Sequence, residues 1–229
     1  MTSASGDDFT AEIERLRYLF AVDENPALPV AHLSQDSFIG HLVAERPWLR
    51  VPRCWDPFET SVRIIVGQQI SVAAASTISG RIATQLGLQV PGVCGLNRIF
   101  PSAEVLAEAD LDGLGLTERR KATIQNFSQA VAEGLIDFKP SENIDELQER
   151  WSVLPGIGPW TAQVSAMRVL GHDDAWPSSD LGILRSINRL TSDELNPKQL
   201  EDRSTIWKPF RSWVAQHLWQ APEVLRSTQ

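Results

Sequence analysis

The segment Leu154-Pro155-Gly156-Ile157-Gly158-Pro159-Trp160 sets two glycines just ahead of a proline suited to opening a helix. Glycines so spaced let a turn tighten and bring its backbone close to a ligand. Proline at the first helical position leaves the first-turn amides pointing outward, and such a helix start attracts anions, a phosphate among them. The same glycines serve equally in an ordinary helix–turn–helix corner, where they only permit close packing. Downstream, Pro177-Ser178-Ser179-Asp180 precedes a helical pattern that begins at Leu181. An aspartate ahead of a helix is ordinarily an N-cap. A carboxylate in that place also suits two chemical tasks, stabilising a developing positive charge and orienting a water.

Three further blocks stand in order along the chain. Trp55-Asp56-Pro57-Phe58-Glu59 leads through Arg63 into Ile64-Ile65-Val66-Gly67-Gln68-Gln69-Ile70-Ser71-Val72-Ala73. Leu114-Gly115-Leu116 is followed by Arg120-Lys121-Ala122, and the end carries Trp207-Lys208-Pro209-Phe210-Arg211-Ser212 and His217-Leu218-Trp219. With the glycine turn and Asp180, these blocks resemble the helix-hairpin-helix/Gly-Pro-Asp superfamily of DNA glycosylases. Within it, the chain is most similar to the 3-methyladenine DNA glycosylase II type, over roughly residues 15–222.

The resemblance implies a role for each matched position. Asp180 becomes the catalytic carboxylate, which stabilises the oxocarbenium character of the sugar as the N-glycosidic bond breaks. Trp160 stands where strand-cleaving relatives carry a Schiff-base lysine, so the implied enzyme hydrolyses the base away and leaves the strand intact. Its indole suits stacking on a flipped, cationic alkylated purine. Trp219 matches a second pocket aromatic, although a tryptophan at helical spacing reads equally as core, and Val164 falls where well-known relatives have a pocket tyrosine, which thins the enclosure. Gln69 stands where some relatives carry a leucine that wedges into the minor groove; it reads as that wedge or as a helix-surface residue. Gly156, Gly158, Thr161 and Arg168 are the implied DNA contacts. The backbone carbonyls of Ser152, Leu154 and Ile157 match positions that hold a monovalent cation, Na+ or K+. No other cofactor is implied. Other acids in these blocks, Glu59, Asp173 and Asp174, read as solvated or capping residues.

These residues are positioned by helices. Apolar residues recur every third or fourth position at Ile13, Leu16 and Phe20; at Val62, Ile65, Val66 and Ile70; at Ile124, Phe127 and Val131; at Trp160, Val164 and Met167; at Ile183, Ile187 and Leu190; and at Trp207, Phe210, Val214 and Leu218. Alternating strand patterns are nearly absent, which predicts an all-α fold. Pro26 and Pro29 end the first helix, residues 46–57 form a connector, residues 87–101 a loop, and Gly134 closes a helix begun near Glu118. Residues 1–8 read as a loose tail. By resemblance the fold is two helical lobes flanking a cleft. Residues 57–172 form one lobe and carry the hairpin at about 145–170; residues 1–56 with 173–229 form the other and bring Asp180 to the cleft. Many bacterial relatives begin with an additional mixed α/β domain, so the chain reads as a core-only form.

Composition bounds the rest. The 229 residues carry a net charge of −8, unusual for a DNA-binding protein, and imply non-specific binding that fades quickly with salt. Cys54 and Cys94 are the two cysteines, too few for an iron–sulfur cluster or a disulfide framework, and they point to a reducing, cytoplasmic setting (the nucleoid in a bacterium). The four histidines are scattered. No apolar run approaches the roughly 18 residues that span a bilayer. The expected partner is double-stranded DNA with damaged bases, met by a monomer away from membranes. Two rival readings remain. A non-catalytic helix-hairpin-helix DNA-binding module needs the hairpin but neither Asp180 nor the DPFE…GQQISVA block. A bifunctional oxidised-base glycosylase/lyase needs a lysine where Trp160 stands.

Overall fold

A computed structural model describes residues 9–93, 95–138, 143–191 and 195–221. Cys94 and the segment 1–8, read above as a tail, lie outside the described residues. In chain order the elements are α1 (Thr10–Leu19), α2 (Ala27–Leu33), α3 (Gly40–Glu45), α4 (Pro57–Val66), α5 (Val72–Leu86), β1 (Leu88–Val93), β2 (Leu96–Ile99), α6 (Ala103–Glu108), α7 (Glu118–Ala132), α8 (Ile144–Ser152), α9 (Pro159–Ser165), a π-helical turn (Ala166–Leu170), α10 (Leu181–Thr191), α11 (Pro197–Ser204), a 3-10 turn (Thr205–Trp207) and α12 (Arg211–Trp219). The helical expectation holds, with one correction. Within the expected 87–101 loop, β1 and β2 pair as an antiparallel hairpin, Leu88 opposite Ile99 and Gln89 opposite Arg98. All of β2 is exposed. A strand with no buried face needs no apolar alternation, so the sequence of β2 resembles a loop. Among the described residues, no helix is long and apolar enough to cross a membrane.

The chain divides into two units, residues 56–165 and residues 1–55 with 166–229. In the first of these, helix starts are fixed by local chemistry. The Asp56 side chain accepts from Glu59 N–H with Pro57 at the first position, and Ser71, Ser102, Thr117 and Asn143 cap α5, α6, α7 and α8 in the same way. α4 packs against α5, α7 and α9, α6 against α7, and α8 against α9. Val62, Ile65 and Val66 of α4, Ile124 and Phe127 of α7 and Leu147 and Trp151 of α8 are wholly buried, and Phe127 meets Trp151 edge-on with centroids 5.2 Å apart.

In the other unit α12 packs on α10 and α3, and Ser212 through Leu218 are all buried. Its start is clamped by the two acids read above as capping residues. Asp174 takes both Arg211 Nε and Nη2 at 2.8 Å, and Asp173 accepts from Trp213 Nε1 at 3.0 Å. Two readings need revision. Pro26 and Pro29 open α2 rather than merely ending α1, since the first turn of a helix does not need their missing N–H groups. The α1 stripe Ile13, Leu16 and Phe20 is exposed, each residue at 45% or more. Periodicity shows that a face is apolar, not that anything covers it; α1 is held instead through Tyr18, whose hydroxyl donates to Val169 O at 3.0 Å.

His217, in α12, is 2% exposed, its Nδ1 has no hydrogen-bond partner, and burial followed by the nearby Arg46 charge pulls its pKa from 6.5 to about 4. Above pH 6.5 the ring is neutral folded or unfolded. Between pH 6.5 and about 4 the unfolded chain takes up a proton that the folded chain refuses, so stability falls as pH drops through that window. The full loss is roughly 3 kcal/mol. Denaturant midpoints across this pH range should therefore fall more steeply for the native chain than for His217→Leu; parallel curves would contradict the assignment.

Candidate active site

Asp180 is the N-cap of α10. Its main-chain carbonyl accepts from Leu184 N–H at 2.9 Å and its Oδ1 from Ile183 N–H at 2.9 Å. The same Oδ1 accepts the indole N–H of Trp219 at 3.0 Å. The backbone donor and the indole thus fix the carboxylate together, on a half-buried residue. Gly182 makes room for this. A Cβ there would lie 3.0 Å from Asp180 Oδ1 and 3.3 Å from Trp219 Cδ1.

Arg168 lies in the π-helical turn, its Cζ 5.0 Å from the Trp219 ring centroid. Nη1 donates to Pro52 O and Nη2 to Gln216 Oε1, both at 2.8 Å. Burial pulls the guanidinium down to about 10. The residue expected to contact DNA thus has donors of both terminal nitrogens engaged inside its own unit.

The hairpin belongs to the unit 56–165. α8 ends at Ser152, α9 begins at Pro159, and Gly156 turns the chain with φ +90°. Leu154 O accepts from Ile157 N–H at 3.1 Å, and Gly158 O from Ala162 N–H at 3.1 Å. A Cβ at Gly158 would meet nothing within 4 Å, whereas at Gly156 it would lie 1.9 Å from Thr123 Oγ1. Trp160 is half-buried in the first turn of α9, and Val164, one turn on, is 7% exposed. Thr161, expected at the DNA interface, is 2% exposed and its hydroxyl accepts from Gln68 Nε2 at 2.9 Å.

Gln68 was not singled out by its sequence, where it is one of two adjacent glutamines. Its Nε2 also donates to Gly156 O at 2.9 Å, and its own carbonyl accepts from the Arg120 guanidinium. It thus ties the loop before α5 to the hairpin. The next residue, Gln69, is exposed and has φ +57°, a conformation uncommon outside glycine. The structure accordingly groups the expected residues in two sets. Asp180, Trp219 and Arg168 meet directly in one unit; Gln69, Gly156, Gly158, Thr161, Trp160 and Val164 belong to the other.

Residues 62–212 match the HhH-GPD superfamily of base excision DNA repair proteins, a span that includes Gln68, the hairpin, Arg168 and Asp180. The chain belongs to this superfamily. It is 37% identical over 221 residues to a protein of Mycobacterium tuberculosis named as a probable bifunctional transcriptional activator/DNA repair enzyme, AlkA; the match takes in 94% of this chain but only 44% of that one. The chain thus spans less than half the length of that relative. To DNA-3-methyladenine glycosylase 2 of Escherichia coli it is 30% identical over 225 residues, 95% of this chain and 74% of the relative. Among solved structures, the Schizosaccharomyces pombe 3-methyladenine DNA glycosylase in complex with abasic DNA superposes with a TM-score of 0.74 at 27% identity, covering 88% of this chain and 99% of that one.

Proposed function

We propose that the chain is a monofunctional DNA glycosylase that hydrolyses the N-glycosidic bond of alkylated purines, of the 3-methyladenine type, flipped out of duplex DNA. The observation that carries this reading is the Asp180 carboxylate, held by Ile183 N–H and Trp219 Nε1 in a chain of this superfamily. As the C1′–N bond breaks, its electron pair neutralises the positive charge on the alkylated base. Asp180 faces the cationic sugar that remains; water adds at C1′, and its surplus proton passes through the carboxylate to solvent. Trp160 offers an indole where a lyase needs an amine, so no Schiff base forms.

The hairpin grips the backbone through amides. The fold itself makes no steric demand for glycine at Gly158, which fits close approach of a phosphate there. Gln69, exposed beside the anchored Gln68, fills the gap left by the flipped base. The Ser152, Leu154 and Ile157 carbonyls are neutral oxygen donors fit for a monovalent cation; Leu154 O keeps a second lone pair beyond its bond to Ile157 N–H. An ion there would add positive charge beside the phosphate.

The test is a duplex carrying one alkylated adenine. Free base should appear while the strand stays intact until the abasic site is cleaved by alkali. A strand break with a borohydride-trapped adduct would overturn the monofunctional reading, and absence of base release would overturn the substrate class.

A further inference from the structure

We propose that Arg168 is a positioning residue for the Asp180 carboxylate, acting through Trp219. This rests on the catalytic reading of Asp180 and deepens it. The chain of contacts is continuous within one unit. The guanidinium is fixed by two neutral acceptors, Pro52 O and Gln216 Oε1, at 2.8 Å each. It lies over one face of the Trp219 indole, 5.0 Å from the centroid, and the edge of that indole donates to Asp180 Oδ1 at 3.0 Å.

Each step has a physical consequence. A cation over an indole draws on the ring's electron density, which holds the ring in place and makes its N–H a stronger donor. Desolvating a guanidinium is costly, and the depression of Arg168 to about 10 reflects that cost. The structure keeps the charge there nonetheless, with its forked donors engaged at both ends. The π-helical turn contributes to the setting. His172 N–H reaches back to Ala166 O at 3.0 Å, and Val169 O accepts from Tyr18 Oη. Gly182 leaves the space into which the indole edge settles beside Oδ1. Trp219 is therefore engaged on one face and at its N–H edge, and its first task is to orient the carboxylate rather than to stack on a base.

The experiment measures single-turnover base release against enzyme concentration for the native chain, Arg168→Met, Arg168→Lys, Trp219→Phe and the double variant Arg168→Met/Trp219→Phe, beside Asp180→Asn. Arg168→Met and Trp219→Phe should each lower the maximal rate about tenfold while shifting half-saturation less than about threefold. The double variant should be no slower than the slower single one, because both act through the same N–H. Arg168→Lys, which keeps a cation over the ring, should recover part of the rate. Losses that multiply in the double variant would overturn the relay. A loss confined to half-saturation would make Arg168 a DNA-binding residue and overturn it as well. If Arg168→Met does not fold, Gln216→Leu removes one guanidinium anchor and should lower the maximal rate alone; no change in that rate would count against the proposal. Native rates in Asp180→Asn would mean that the catalytic reading itself has failed, an outcome separate from all of these.

Discussion

Asp180→Asn should release base at least about 100-fold more slowly than the native chain while folding as well. The substitution is informative because it removes the charge and little else. An asparagine Oδ1 accepts from Ile183 N–H and Trp219 Nε1 as the carboxylate oxygen does at 2.9 and 3.0 Å, and asparagine ranks with aspartate as an N-cap. Thermal unfolding should therefore move by less than about 1 kcal/mol. What is lost is the negative charge facing the sugar as its bond to the base breaks. Asp180→Ala separates the two roles differently. It also removes the cap and leaves the indole N–H unpaired, so it should cost about 1–2 kcal/mol of stability on top of the same rate loss. Single-turnover kinetics with matched melting curves check both. Equal rates for native chain and Asp180→Asn would remove Asp180 from the chemistry and leave it a cap.

The parts of this fold that were legible in the sequence are those written locally. Pro57 after Asp56, Pro159 after Gly158 and Leu181 after Asp180 mark helix starts through capping and proline chemistry that operates within four residues. What was not legible depends on partners far along the chain. Arg168 reads as a surface cation because nothing near it announces that Pro52 and Gln216, 116 and 48 positions away, supply its acceptors. Thr161 likewise looks available until Gln68, 93 positions away, takes its hydroxyl. The order of two adjacent glutamines carries no hint that one anchors the hairpin and the other turns outward with φ +57°. The contacts of Trp219 with Asp180 and Arg168 were not legible either, since an indole has both a face and an N–H edge, and only packing decides which is engaged. The α1 stripe erred in the opposite direction, by treating apolar periodicity as evidence of a covering surface.

The two hairpin glycines separate stability from binding, and Gly156→Ala should carry the largest stability loss. Gly156 holds φ +90°, where an L side chain is strained, and its added Cβ would lie 1.9 Å from Thr123 Oγ1, 2.9 Å from Cγ2 and 3.0 Å from Cβ. Thr123 has little freedom to yield: it is 3% exposed on α7 and its hydroxyl donates to Arg119 O at 2.9 Å. The turn must instead lift off α7, which also pulls Gly156 O from Gln68 Nε2 and loosens the loop carrying Gln69. Backbone strain of about 1–2 kcal/mol and overpacking of about 1–3 kcal/mol together give a loss near 3 kcal/mol, or roughly 10 °C in melting temperature for a chain of this size. Adding Thr123→Ala deletes Oγ1 and Cγ2 and should restore the overpacking part, leaving the strain of the positive φ. Gly158→Ala is the contrasting case. Its Cβ points into open space and its φ is not positive, so melting should stay within about 0.5 kcal/mol of native. A phosphate seated against that backbone would nevertheless meet the new methyl, so affinity for duplex DNA should fall although the fold does not change. Melting curves and DNA titrations on the two variants distinguish a glycine required by the fold from one required by the ligand, and a Gly156→Ala chain that melts like the native one would refute the packing on which the hairpin's place against α7 depends.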